Sequence, residues 1–322
     1  MIALIRSFKL VVFMMQLTII GFGNQAKSWA LNLKDSQFPV RVALRPGSSS
    51  MELAKAMGFE VVTTGSKEFY EGRAFALLTP DHTHDEFLSE YGNQFSENSA
   101  ILYAHGFSLL KSEFQIKYPK LQHVLYAPKS IGSELRRQYE IKGKLGAVYS
   151  LEHFMGETEE FETWLMALAK NMGITMGPFK TSFKNETQAD LYSEQGLLCS
   201  LIPYAAGEMF RHLVEEGIEP ELAYFECWAE LKLIINAMVD KGPEGFFDLI
   251  SPNALVGAEK GYHRLFTPEF NQNLRSLLTE IQNDKFNQEL EKTNIEETRK
   301  IIKERWKKTP LMKTFNKLNQ DS

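Results

Sequence analysis

From Leu17 the chain repeats one pattern: a short apolar run, a turn of small residues, then a longer segment whose apolar positions recur at helical spacing. LTII, VRVALR, EVV, FALLTP, AILYAHGF and HVLYAPKS read as strands; KSWALNLKDS, MELAKAMGF and DEFLSEYGNQF read as helices between them. Short runs that are apolar on both faces suit strands covered from both sides, so they are predicted to form a buried parallel sheet in an α/β fold. The later part of the chain carries helical periods only. Two of its helices, FNQNLRSLLTEIQNDKF and IEETRKIIKERWKKTP, are amphipathic, and the basic run from Arg299 to Lys308 reads as a solvated face.

Two stretches of the helical part depart from the ordinary pattern because they set acids where core residues belong. In ADLYSEQGLLCSLIP, Asp190 and Glu194 fall about 40° apart around a helix, with Leu197 and Leu201 on the same line. In FECWAELKLIINAMV, Glu226 and Glu230 repeat the spacing, followed on that face by Leu233 and Ala237. Phe225, Cys227, Trp228, Leu231, Ile234 and Ile235 make this second helix apolar on nearly every side, so it is expected to be largely buried. Acids four apart are also common on solvated faces. Facing each other, however, the two helices would gather four carboxylates, which burial tolerates only if they are protonated, paired or bound to metal. An all-oxygen ligand set points to a hard ion, Mg²⁺ before Mn²⁺.

The first strand runs into GFGNQA, where Gly21, Gly23 and Ala26 fill a G-x-G-x-x-A pattern between strand and helix. Small residues there permit a tight turn and a close approach to a pyrophosphate, which then faces the helix N-terminus. For NAD the second strand would end in an acid that holds the ribose hydroxyls; here it ends in Arg45, followed by PGSSS. A guanidinium with the hydroxyls of Ser48 and Ser50, and Ser49 as a further donor, suits a 2′-phosphate, so NADPH is the expected cofactor. The alternative is a plain polar turn.

With 43% hydrophobic residues over 322 positions, the chain can build two cored domains. A formal charge of -5 gives no electrostatic reason to expect nucleic acid. Cys199 and Cys227 lie in apolar helical stretches and read as reduced structural thiols of a cytoplasmic protein. The N-terminal MIALIRSFKLVVFMMQLTIIGFG has the outline of a secretory signal, with Arg6 and Lys9 ahead of an apolar run. Gln16 and Thr18 interrupt that run, no small-residue cleavage site follows, and Leu17 to Ile20 serve better as a strand. Neither export nor a membrane span is expected. His82 and His84, in the polar TPDHTHDEF, lack a ligand cluster and are not expected to bind metal. His105 and Lys129 fall at strand ends, where open α/β sheets place ligand sites.

On GFGNQA with ALNLKDS, LRPGSSS, LTPD, AHGF, APK with LRRQY, TSFKNETQADLYSEQGLLC, ELAYFECWAELKLI and ISPNALVG, the chain resembles short-form ketol-acid reductoisomerases from about Leu17 to Phe286. The resemblance implies a Rossmann-type NADP-binding domain over residues 1–181 and an all-helical, knotted metal- and substrate-binding domain over 182–322. It further implies a homodimer or larger assembly with shared active sites. By the same likeness Asp190, Glu194, Glu226 and Glu230 would hold two Mg²⁺, and Ser251 would contact a 2-hydroxy-3-keto acid. Gly21, Phe22, Gly23, Asn24, Gln25, Arg45, Ser48, Ser50, Pro80 and Asp81 would bind cofactor. His105, Lys129 and Glu230 would take part in catalysis: Glu230 as proton relay unless a metal-bound water serves, Lys129 in charge stabilisation or cofactor binding. For His105 the choices are base, donor or structural strand-end residue.

Departures from the family pattern surround these positions. The usual Pro-Lys-Gly-Pro-Gly-His is here Pro128, Lys129, Ser130, Ile131, Gly132 and Ser133. Ala26, Lys27, Ser28, Trp29 and Ala30 stand where Gly-His-Ala-His-Ala is common, and Pro252 and Leu255 where Asn and Glu are. Three readings stay open: an active reductoisomerase, a reductase of another 2-keto acid, and a paralogue that binds without catalysis.

Overall fold

The computed structural model describes residues 15–156 and 158–320. The apolar stretch through residue 14 lies outside the described residues. The chain divides into two compact units, the first ending at Thr187 and the second beginning at Gln188.

The first unit is built on an eight-stranded sheet in the order β3-β2-β1-β4-β5-β6-β7-β8. The strands are β1 Leu17–Ile20, β2 Val40–Leu44, β3 Val61–Thr63, β4 Ala74–Leu77, β5 Ala100–Tyr103, β6 Gln122–Pro128, β7 Gly146–His153 and β8 Met176–Lys180. The expected strands are all present, but the sheet is mixed: β7 runs antiparallel to β6. β7 also alternates, with half-buried residues and the polar Ser150 and Glu152, and β8 is a mostly exposed edge. Neither is buried along its whole length, as β1, β4, β5 and β6 are.

Alternate strand residues point to opposite faces, and both faces are covered. Leu17 and Ile19 join Leu102, Val124 and Tyr126 under Trp29, Leu33, Trp164 and Leu168. On the other side Leu77, Ile101, Tyr103 and Leu125 pack against Phe69, Phe75, Phe95, Phe114 and Phe183. Phe183 is fully buried and opens the helix Phe183–Ser193, so the start of the first acid-bearing helix is anchored to the sheet. Strand order reverses between β2 and β4 around β1, which opens a crevice at the carboxyl ends of the strands.

The second unit is helical. Several starts are written in the sequence as a hydroxyl followed by proline: Ser251-Pro252, Thr267-Pro268 and Thr309-Pro310. In each the hydroxyl accepts from the backbone N–H three residues on, and proline fills the first helical position, where no N–H is needed. Its buried cluster is small: Phe210, Ala223, Tyr224, Cys227 and Leu311, with Trp228 and Trp306 against them. Helix Ile295–Lys307 is exposed along almost its whole length, as its basic face predicts.

Candidate active site

The crevice beside β1 is shaped by Gly21. Its φ of +102° is a conformation that only glycine adopts without strain, and a Cβ there would lie 3.2 Å from the Leu78 carbonyl oxygen. Directly after Gly23, which lines the crevice, the chain enters the helix Asn24–Asp35, whose first N–H groups have no partner within the helix. Gly21, Phe22, Gly23, Arg45, Ser48, Ser50 and Pro80 all line one cavity of about 500 Å³. Of the other expected cofactor residues, Asn24 and Gln25 form the first turn of that helix, and Asp81 starts a 3₁₀ turn after Pro80. The Ser48 hydroxyl accepts from the Ser50 N–H at 3.3 Å, fixing the turn that carries Arg45. Thr64, Thr79, Glu86 and Tyr91 also line it; of these only Thr79 falls in a stretch that carries the resemblance, LTPD.

Next along the sheet, the ends of β5 and β6 present His105 and Lys129, and both meet Glu186. His105 Nδ1 lies 3.0 Å from Glu186 Oε2, and Lys129 Nζ lies 2.5 Å from Oε1. The Gly106 N–H also donates to Oε2, at 2.9 Å. A side chain at position 106 would come within 2.5 Å of Thr187 Oγ1 and 2.8 Å of the Phe183 carbonyl, so glycine is what lets the loop reach the helix. The Glu186 side chain is only 1% exposed. Burial alone would raise its pKa, but the hydrogen bond and charge of His105 and those of Lys129 outweigh it, and the carboxyl titrates below its ordinary value. The result is a buried carboxylate that orients an imidazole and an ammonium, as proton transfer or stabilisation of an oxyanion requires. Glu186 was not among the expected site residues. Its signal was spacing: Glu186, Asp190 and Glu194 recur every four residues.

The acids of the second unit sit on irregular helices. A π-helical turn spans Glu194–Leu198, closed by Cys199 N–H to the Glu194 carbonyl at 3.0 Å. Another spans Phe225–Ala229, closed by Glu230 N–H to Phe225 at 3.0 Å. Such bulges recur at functional sites because the extra residue re-aims side chains. Burial, with the charges of Glu194 and Asp190, pushes the Cys199 thiol up, and burial with Glu226 does the same at Cys227. Both cysteines are free; Cys227 is buried but Cys199 is exposed. Among the described residues, no three of the four acids bring ligand atoms within metal-ligand reach of one another. As a donor set they remain all oxygen, which fits a hard cation.

Three expectations need correction. The helix carrying Glu226 and Glu230 is not largely buried: Phe225 is 54% exposed, Leu233 65% and Val239 61%. Apolar composition demands a cover but does not say that the same chain supplies it. His84, read as part of a polar loop, has a buried ring and begins the helix His84–Tyr91. Cys199, expected as a structural thiol, lies at the surface. Ser251 caps the helix Pro252–Leu265 and is exposed, with Leu255 one turn along. In the altered loop, Ile131 is 71% exposed, while a Cβ on Gly132 would lie 2.4 Å from the Asn24 carbonyl oxygen.

Residues 12–177 match the family model for the acetohydroxy acid isomeroreductase NADPH-binding domain, and residues 183–321 that for the ketol-acid reductoisomerase C-terminal domain. The ketol-acid reductoisomerase (NADP(+)) of Xanthomonas oryzae pv. oryzae is 34% identical over 276 residues, covering 84% of this chain and 81% of that protein. The enzyme of the same name from Xanthomonas campestris pv. campestris is 34% identical over 275 residues, covering 84% and 80%. The structure of an NADH-preferring ketol-acid reductoisomerase from an uncultured archean has the same fold, with a TM-score of 0.82 over 98% of this chain and 96% of that one at 24% identity. A pyrroline-5-carboxylate reductase from Coxiella burnetii shares the fold more distantly, at TM-score 0.60, 12% identity, and 84% and 98% coverage.

Proposed function

The chain belongs to the ketol-acid reductoisomerase family, and from that premise we propose that it converts 2-acetolactate or 2-aceto-2-hydroxybutyrate to a 2,3-dihydroxy acid, as in valine and isoleucine biosynthesis. The observation that carries the reading is the ion-paired cluster of His105, Lys129 and Glu186, in the same unit as a glycine-shaped nucleotide crevice.

NADPH is the hydride donor of this reaction. The crevice suits it: Gly21 and Gly23 admit a pyrophosphate to the helix N-terminus, and Arg45, Ser48 and Ser50 offer a cation and hydroxyls to a 2′-phosphate. Two Mg²⁺ held by Asp190, Glu194, Glu226 and Glu230 would supply Lewis acidity toward the substrate oxygens. Alkyl migration needs the substrate hydroxyl to lose a proton, and Glu230 is assigned to carry it. Ser251 orients the substrate. Lys129, held by Glu186, offers its ammonium to the oxygen that gains negative charge. His105, whose Nδ1–H donates to Glu186, moves or positions a proton at the reduced carbonyl.

The exposed apolar residues on the helix Leu231–Phe247 support pairing with a second copy of the chain, so that Glu226 and Glu230 serve a site shared between copies. The free thiols suit the reducing cytoplasm. No described helix is long and apolar enough to cross a membrane. Leu255 and the Ser130–Ser133 loop favour one rival reading, a reductase that no longer isomerises. NADPH oxidation with 2-acetolactate and with 3-hydroxy-3-methyl-2-oxobutyrate, each with and without Mg²⁺, decides. Turnover of both supports the reductoisomerase, turnover of the second alone supports the rival, and turnover of neither overturns both.

A further inference from the structure

A buried histidine outside the cofactor crevice and the Glu186 cluster ties their two loops together. His84 Nε2 lies 2.9 Å from the Thr79 carbonyl oxygen, and its Nδ1 lies 2.7 Å from Ser108 Oγ. A carbonyl can only accept, so Nε2 carries the proton and donates to Thr79, and Nδ1 accepts from the Ser108 hydroxyl. Both partners are placed to matter. Thr79 lines the cofactor cavity beside Pro80, and its methyl lies 3.2 Å from where a Cβ on Gly21 would stand. Ser108 is buried in the first turn of the helix Phe107–Ser112, which follows directly on His105 and Gly106. One ring therefore bridges the loop after β4 and the loop after β5. Burial holds the imidazole below its ordinary pKa; Asp81, with Oδ1 3.6 Å from Nδ1, opposes this and His82 adds to it. Two hydrogen bonds on a ring that excludes water make a stiffer link than the same bonds at the surface.

We propose that His84 is a positioning residue of the reaction: through Thr79 and Ser108 it holds the floor of the cofactor site in register with the His105–Glu186–Lys129 cluster. This rests on reading the crevice as the NADPH site. Equilibrium NADPH binding to the full chain, followed by protein fluorescence, needs no substrate and tests the two ideas separately. His84→Ala is expected to weaken NADPH binding about tenfold and to lower kcat for 3-hydroxy-3-methyl-2-oxobutyrate as well. His84→Gln, which keeps an N–H donor toward Thr79, is expected to recover most of the affinity and little of kcat. Ser108→Ala removes only one hydroxyl, so it still tests the link if His84→Ala fails to fold. Its kcat is expected to fall several-fold with NADPH affinity near wild type, and adding it to His84→Gln should cost little more. If His84 serves folding alone, the variants lose melting temperature while NADPH affinity and kcat stay at wild-type values well below melting, and the proposal is overturned. Additive effects of Ser108→Ala and His84→Gln overturn it too. If the wild-type chain does not bind NADPH, the reading of the crevice fails first.

Discussion

The two units hold their charged residues in opposite ways. In the first unit the buried Glu186 carboxylate is paired twice over, by groups that the ends of β5 and β6 bring to it. In the second unit Glu226 and Glu230 lie exposed on a helix where Phe225, Leu233 and Val239 are exposed with them. The difference is one of where the enclosing surface comes from. A sheet covered on both faces has enough core to fix a buried ion cluster unaided, whereas a helical unit with one small cluster of its own has surface to share.

The largest effect expected is at the exposed acids. On the proposed metal reading, Glu226→Gln should reduce Mg²⁺-dependent turnover by at least about a thousandfold, with NADPH binding unchanged, because losing a metal ligand would remove the electrophile and leave the crevice alone. Activity that survived in steady-state assays would remove the metal role from the second unit. Next comes the paired acid. Glu186→Gln leaves Lys129 and His105 facing a neutral amide, which should cost about 3 kcal/mol of stability in denaturant titrations and lower kcat about a hundredfold.

The same carboxyl gives a pH test with a definite sign. Its folded pKa lies below the unfolded carboxylate value, so its contribution is fully present above about pH 4.3 and is lost as pH falls through the folded value. Stability of the wild-type chain should therefore drop on acidification more steeply than that of Glu186→Gln, and parallel curves would mean that the pairing does not stabilise the fold. Arg45→Ala should raise KM for NADPH by about tenfold to a hundredfold and leave KM for NADH nearly unchanged, if the guanidinium serves only the 2′-phosphate as proposed. A change of equal size for both cofactors would mean that Arg45 holds the turn instead. The smallest effect is expected at Cys199→Ser, within about 0.5 kcal/mol of wild type by thermal melting, because the thiol is exposed.

What could be read from the sequence divides along the same line. β1 to β6 were legible because each is a short, mainly apolar stretch between turns and helical periods, and GFGNQA announced the crevice. β7 and β8 were not, since Ser150 and Glu152 break the run and an edge strand need not be apolar. Arg45, Ser48 and Ser50 were legible as donors and do share a cavity. Glu186 was hidden because a glutamate in the first turn of a helix looks like an ordinary N-terminal charge; only the fold shows that two loops close over it. The exposure of Leu233 and Val239 was misjudged for a third reason: hydrophobicity specifies that a surface should be covered, and is silent about by which molecule.

The close approach of Gly132 to Asn24 bears on how this chain can continue to vary. Ser130, Ile131 and Ser133 differ from the family's usual residues, yet between them stands a position where even one methyl group would collide with a backbone oxygen. That glycine acts as a spacer between the starts of two helices. The loop can therefore exchange its side chains, and with them what it offers a bound molecule, while the distance between the two rows of backbone amides stays the same. Drift in this loop is drift in chemistry on a frame that holds its dimensions.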